Sequence, residues 1–186
     1  MSNFFKAISK ITIKSMALSV SLVSAFTANI AMAQSCFTDT MTETTPLTQF
    51  IIHGDGTITD TSTALMWKQC LEGLSDISCD EGTLTTLNWS GALQQAGNIN
   101  NSGGFAGYAD WRLPNEAELV SLIEEQCIEP AINEAVFPNT ALAFLWSASP
   151  DYNNDTATWF VDFKHGTTGS TTRSQKWPVR LVRSVD

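Results

Sequence analysis

The chain has 186 residues, with 19 Asp and Glu against 10 Lys and Arg, a formal net charge of −9 and 43% hydrophobic residues. That length suits one domain, which can bury roughly two-thirds of the surface its unfolded chain exposes. The acidity excludes nucleic acid as an expected partner, because phosphate backbones are held by basic surfaces.

Lys6, Lys10 and Lys14 precede an apolar, uncharged run from Ser15 to Ile30, and Ala31-Met32-Ala33 follows with small residues at the positions a signal peptidase reads. This pattern predicts a secretory signal peptide over residues 1–33. At about sixteen residues the run falls short of the roughly 20 a membrane span needs, so no stable span is expected after cleavage. Losing those three lysines and no acid would take the charge from −9 to −12. The expected destination is the periplasm, the cell surface or the medium.

Cys36, Cys70, Cys79 and Cys127 all lie beyond the cleavage site, and their even number agrees with an oxidising compartment. Of the three possible pairings we expect Cys70 with Cys79 across a short Gly-containing loop, which leaves Cys36 to Cys127. On the chain-entropy account these closures contribute roughly 2.6 and 4.6 kcal/mol. A zinc site is not expected, since there is no CxxC pair and His53 and His165 stand alone.

Residues 34–49 are Thr-rich without periodicity and read as an extended arm held by Cys36, ahead of one domain over 50–186. Phe50, Ile52 and Ile58 flank His53-Gly54-Asp55-Gly56, a tight-turn signal between two strands. A second turn at 60–63 leads into a buried strand, Ala64-Leu65-Met66-Trp67. Turn chemistry accounts for Asp55 and Asp60 without a metal.

Asn88 can cap a helix whose Trp89, Ala92, Leu93 and Ala96 share a face, with Gly97 as its end. An irregular loop is expected over 98–107. A second helix starts after Pro114, with Asn115 and Glu118 at capping-box spacing and Leu119, Leu122 and Ile123 as its buried stripe. Strands follow at 144–149, around Trp159, Val161 and Phe163, and at 179–184. Arg173, Lys176, Arg180 and Arg183 fall in the last fourteen residues and read as a solvated strand face. Two helices and many short strands predict an α+β domain.

The segments "HGDGTITDTSTALMWKQC", "NWSGALQQA", "GYADWRLPNEAELVSLIE", "LWSASP", "TWFVDF" and "VRLVRS" occur in that order. They resemble the C-terminal domain of the Legionella collagen-like adhesin, a family long labelled a domain of unknown function, from about Phe50 to Arg183. The resemblance implies a C-type lectin-like fold of two helices on a short, twisted antiparallel sheet with long loops. "RLPNEAEL" and "VRLVR" are also similar to segments of formylglycine-generating enzymes. Physics explains the shared corner: Trp111 and Leu113 anchor it, Pro114 fixes its exit, and Arg112 can pair with a helix acid such as Glu116.

The resemblance implies attachment, and its adhesin member recognises sulfated glycans. This chain lacks a collagen-like Gly-X-Y region and is acidic, which weakens a sulfated ligand by repulsion. An enzyme of the formylglycine-generating type needs reactive thiols near its C-terminal half, and no cysteine follows Cys127. We therefore expect no catalytic residue and no cofactor. The expected function is non-enzymatic binding of a glycan or an envelope protein, with a structural role in an envelope assembly as the alternative. By elimination, ligand contacts fall to Asn153, Asn154 and Asp155 for sugar hydroxyls, Trp177 as a stacking face, and Arg173 or Lys176 for an acidic group. Trp67, Trp89, Trp111, Trp146 and Trp159 read as core.

Overall fold

The Asp55-Gly56 turn forms because Gly54 and Gly56 take positive φ and Thr57 donates its N–H and hydroxyl to Asp55 Oδ1. It joins two strands of a computed structural model that describes residues 34–185; the expected signal peptide lies outside the described residues. Along the chain run β1 (Ser35–Cys36), a 3-10 turn (Leu47–Gln49), β2 (Phe50–Ile52), β3 (Thr57–Asp60), β4 (Leu65–Lys68), β5 (Leu74–Ser75), β6 (Glu81–Gly82) and β7 (Thr86–Leu87). Helices α1 (Trp89–Asn101) and α2 (Glu116–Val120) follow, then β8 (Cys127–Ile128), β9 (Phe144–Pro150), β10 (Ala157–Asp162), β11 (Thr167–Thr172), β12 (Trp177–Pro178) and β13 (Val182–Ser184). The architecture is α+β, built from small sheets, as the sequence pattern predicts.

One sheet has the order β13-β4-β3-β2 and another β11-β10-β9, both antiparallel, with β1-β8, β12-β7 and β5-β6 as two-stranded pairs. The first core gathers Phe50, Ile58 and Trp67 of the four-stranded sheet, Leu119 of α2, Leu122, Leu145 of β9, Val161 of β10 and Phe163. The second packs Ala92 and Ala96 of α1 against Trp111, Leu113, Trp146 and Leu181. Each large apolar side chain so buried contributes roughly 1.5 to 3 kcal/mol.

Both expected disulfides form, Cys70 with Cys79 and Cys36 with Cys127. The second lies across the β1-β8 pair, where Cys36 and Cys127 are directly opposite. The arm is held further by buried Glu124, whose carboxylate accepts from the N–H groups of Thr44 and Thr45 and from both their hydroxyls.

Several expectations need correction. Helix α1 runs through Gly97 to Asn101, because a Cβ-less residue inside a helix costs only about 1 kcal/mol and the extra turn seats Ile99 on the second core. Leu93 is exposed rather than on the buried face. Trp159 is half-buried, not core, and Trp89 is half-buried at the edge of the second core. The closing strand is broken at Val179–Leu181, where Arg180 turns inward. Arg180 and Arg183 are both buried, so they are not a solvated face.

Arg180 donates to the carbonyls of Lys68 and Gln69 and to Thr140 Oγ1, and lies 4.7 Å over the Phe137 ring. Complete burial pulls its pKa down to about 9, an effect that Glu72 partly offsets. Arg183 lies 4.0 Å over the Tyr108 ring and donates to Asp110.

Candidate functional site

The "DWRLP" run becomes intelligible residue by residue. Asp110 Oδ1 accepts from Arg183 Nε at 2.8 Å, and that hydrogen bond holds the carboxyl below its usual range. Asn100 clamps Trp111 by accepting from its N–H and donating to its carbonyl. The Arg112 N–H and carbonyl pair with Val182, and its guanidinium meets Glu118, not Glu116, through two 2.7 Å hydrogen bonds. Burial resists ionisation of Glu118, but Arg112 and the Asn115 N–H outweigh it and hold the carboxyl low. Asn115 and Glu118 form the expected capping box. Leu113 and Pro114 are buried. These residues form a corner that ties α2 to the last strand, and every polar group named in it is occupied.

The other sequence-predicted residues are only partly brought together. The β9-β10 loop puts Asn153, Asn154 and Asp155 on the surface. Asp151 Oδ1 accepts from the Asn153 N–H, Asn154 Oδ1 accepts from the N–H and hydroxyl of Thr156, and the Asn154 N–H returns to the Asp151 carbonyl. A hydrogen bond from Ser170 fastens Asp151 to β11 and depresses its pKa. The loop is thus a stapled turn whose tip faces solvent.

Arg173 reaches the base of this loop, since its N–H donates to the Thr156 carbonyl and its Nε to that of Ala157. Its guanidinium also stacks 4.3 Å over the Trp89 ring, so it braces the loop. Lys176 is exposed. Trp177 is not the open surface aromatic that its flanking residues suggest: it is half-buried, packs on the second core and lies 4.9 Å from the Phe144 ring. Phe144 begins β9 and the loop follows its end, a strand length of about 20 Å. Trp177 therefore belongs to a different place from the loop.

Tyr152, which sequence reasoning passed over, stands at the loop tip with 96% of its surface exposed. The composition of the loop draws attention to its Asn and Asp residues. Only the turn geometry shows that the ring between them has nothing to pack on.

Comparison with curated proteins gives no match. Residues 56–183, from the Asp55-Gly56 turn through the Arg183 that closes the corner, match the Lcl C-terminal domain, and the chain belongs to that family.

Proposed function

We propose that this is an exported, non-enzymatic attachment domain that holds a glycan on the Tyr152–Asp155 loop. The observation that carries the reading is the almost fully exposed Tyr152 ring on a turn fixed by its own side chains. An aromatic face can stack on the C–H face of a sugar while its hydroxyl stays hydrated, and Asn153 and Asp155 beside it can meet sugar hydroxyls. Because the backbone of the turn is ordered before binding, the entropy lost on contact is chiefly the rotamer freedom of Tyr152. The family's adhesin context and the two disulfides fit an exported protein.

We assign the fold to the C-type lectin-like class, in support of which the first hairpin and the last strand share one sheet. Export would follow cleavage between Ala33 and Gln34, to be read as the N-terminus of the secreted chain by mass spectrometry. An intact Met1 overturns that step.

A glycan array with and without calcium tests the function. Retention of neutral glycans above sulfated ones is expected from the acidic charge, and Tyr152→Ala should weaken it by about tenfold. Unchanged retention in a folded Tyr152→Ala protein would move the site elsewhere. A second reading, contact with an envelope protein, is favoured by a separate cleft.

A further inference from the structure

A cleft of about 390 Å³ opens between the β2-β3 turn and the Cys70–Cys79 loop, bordered by Ile52, Leu74, Ile77 and Phe105 with Asp55 and Asp76 at its lips. Its size lies within the range of sites that enclose small ligands or single side chains. Ile77 is 74% exposed and Ile52 43% exposed, so both present aliphatic surface to whatever enters.

Both lips are fixed. Asp55 Oδ1 accepts two hydrogen bonds from Thr57, and Asp76 Oδ1 accepts the Ser78 N–H at 2.8 Å inside the loop closed by the disulfide. In each case the turn occupies Oδ1 and leaves Oδ2 for a ligand. A Cβ on Gly56 would come within 2.9 Å of the Phe105 ring, so glycine lets that ring close the cleft.

Charge decides what fits. Lys68 is the one lysine or arginine between residues 15 and 111, a stretch with nine Asp and Glu. It borders the cleft, but it is bound to Glu72 at 2.6 Å and lies over the Phe105 ring at 4.3 Å. The cleft therefore has aliphatic groups in its lining, and the two carboxylates at its edge, Asp55 and Asp76, form no ion pair among the described residues. Lys68 lies over the Phe105 ring and removes that face as a stacking platform for a sugar. An aliphatic side chain flanked by cations needs the walls and the lips that are present.

We propose that this cleft is a second binding site, independent of the Tyr152 loop, which docks a partner polypeptide segment carrying an aliphatic side chain between Lys or Arg residues. The test titrates 15N-labelled, secreted protein with short capped peptides Lys-Leu-Lys-Val-Lys, Ser-Leu-Ser-Val-Ser and Glu-Leu-Glu-Val-Glu, and with a deacetylated chitin oligomer. The lysine peptide alone should shift the amides of Ile52, Asp55, Ser75, Ile77 and Phe105, and the shifts should saturate.

Asp55→Asn with Asp76→Asn keeps both turn acceptors and should weaken binding by about tenfold, the loss of two surface charge contacts. Ile77→Ser, at an exposed position, should weaken it by about threefold through lost apolar contact. Thermal melting of each variant serves as the folding control. Equal shifts from the serine peptide, unsaturating shifts spread over all acidic surfaces, or an equal response to the chitin oligomer would each overturn the proposal. So would concentration-dependent shifts without peptide, which would mark a second copy of the chain as occupant. Glycan retention by the Tyr152 loop is unaffected by any of these results.

Discussion

Asp110 and Arg183 meet at 2.8 Å and join the corner before α2 to the final strand, so the two most distinctive segments of the sequence are two halves of one structural joint. Backbone pairing between Arg112 and Val182 lies beside it. The polar groups of this pattern therefore close the fold.

Arg112→Ala should lower stability by about 1 kcal/mol, the lower part of the range for a charged hydrogen-bonded pair, because the Arg112 side chain is 41% exposed. Chemical denaturation reads the change. A variant that unfolds like the native chain but no longer retains glycan would make Arg112 a ligand contact.

Acid should loosen the N-terminal arm. Burial opposes ionisation of Glu124, but N–H donors from Thr44, Thr45 and Gln126 prevail and hold its pKa low. A folded pKa below the unfolded value of about 4.3 stabilises the chain at higher pH. That contribution disappears as pH falls through the folded value. Protection of the Thr44 and Thr45 amides, taken as exchange relative to the intrinsic rate at each pH, should fall there, and Glu124→Gln should lower it at neutral pH. Equal protection at both pH values would contradict the clamp.

Replacing Cys70 and Cys79 by Ser should cost about 2 to 3 kcal/mol, and replacing Cys36 and Cys127 about 4 to 5, on the loop-entropy account. Thermal unfolding of the two double variants gives the order. The reverse order would show that the arm contributes less than its long loop implies.

Periodicity and caps made much of the fold legible: the Asp55-Gly56 hairpin, the Asn115–Glu118 box and the Cys70–Cys79 pair follow from local rules, and Cys36–Cys127 follows as the pair that remains. Tertiary burial was not legible in the same way. Arg180 sits in a string of alternating cations and apolar residues that reads as a solvated strand, and only the carbonyls of Lys68 and Gln69, far away in sequence, reveal why it points inward. Trp177 looks exposed beside Lys176 because its neighbour Phe144 is likewise remote. For the proposed site, the loop composition singled out Asn153, Asn154 and Asp155, but the exposure of Tyr152 beside them depends on turn geometry that no periodicity encodes.

The most direct test of the attachment reading compares the native secreted chain with Tyr152→Ala and with a Gly-Ser replacement of residues 151–155 on one glycan array. The account predicts reproducible retention of at least one neutral glycan, weakened by about tenfold in Tyr152→Ala and lost in the loop replacement, with melting temperatures unchanged. No retention by the native chain, or equal retention by all three proteins, would contradict it.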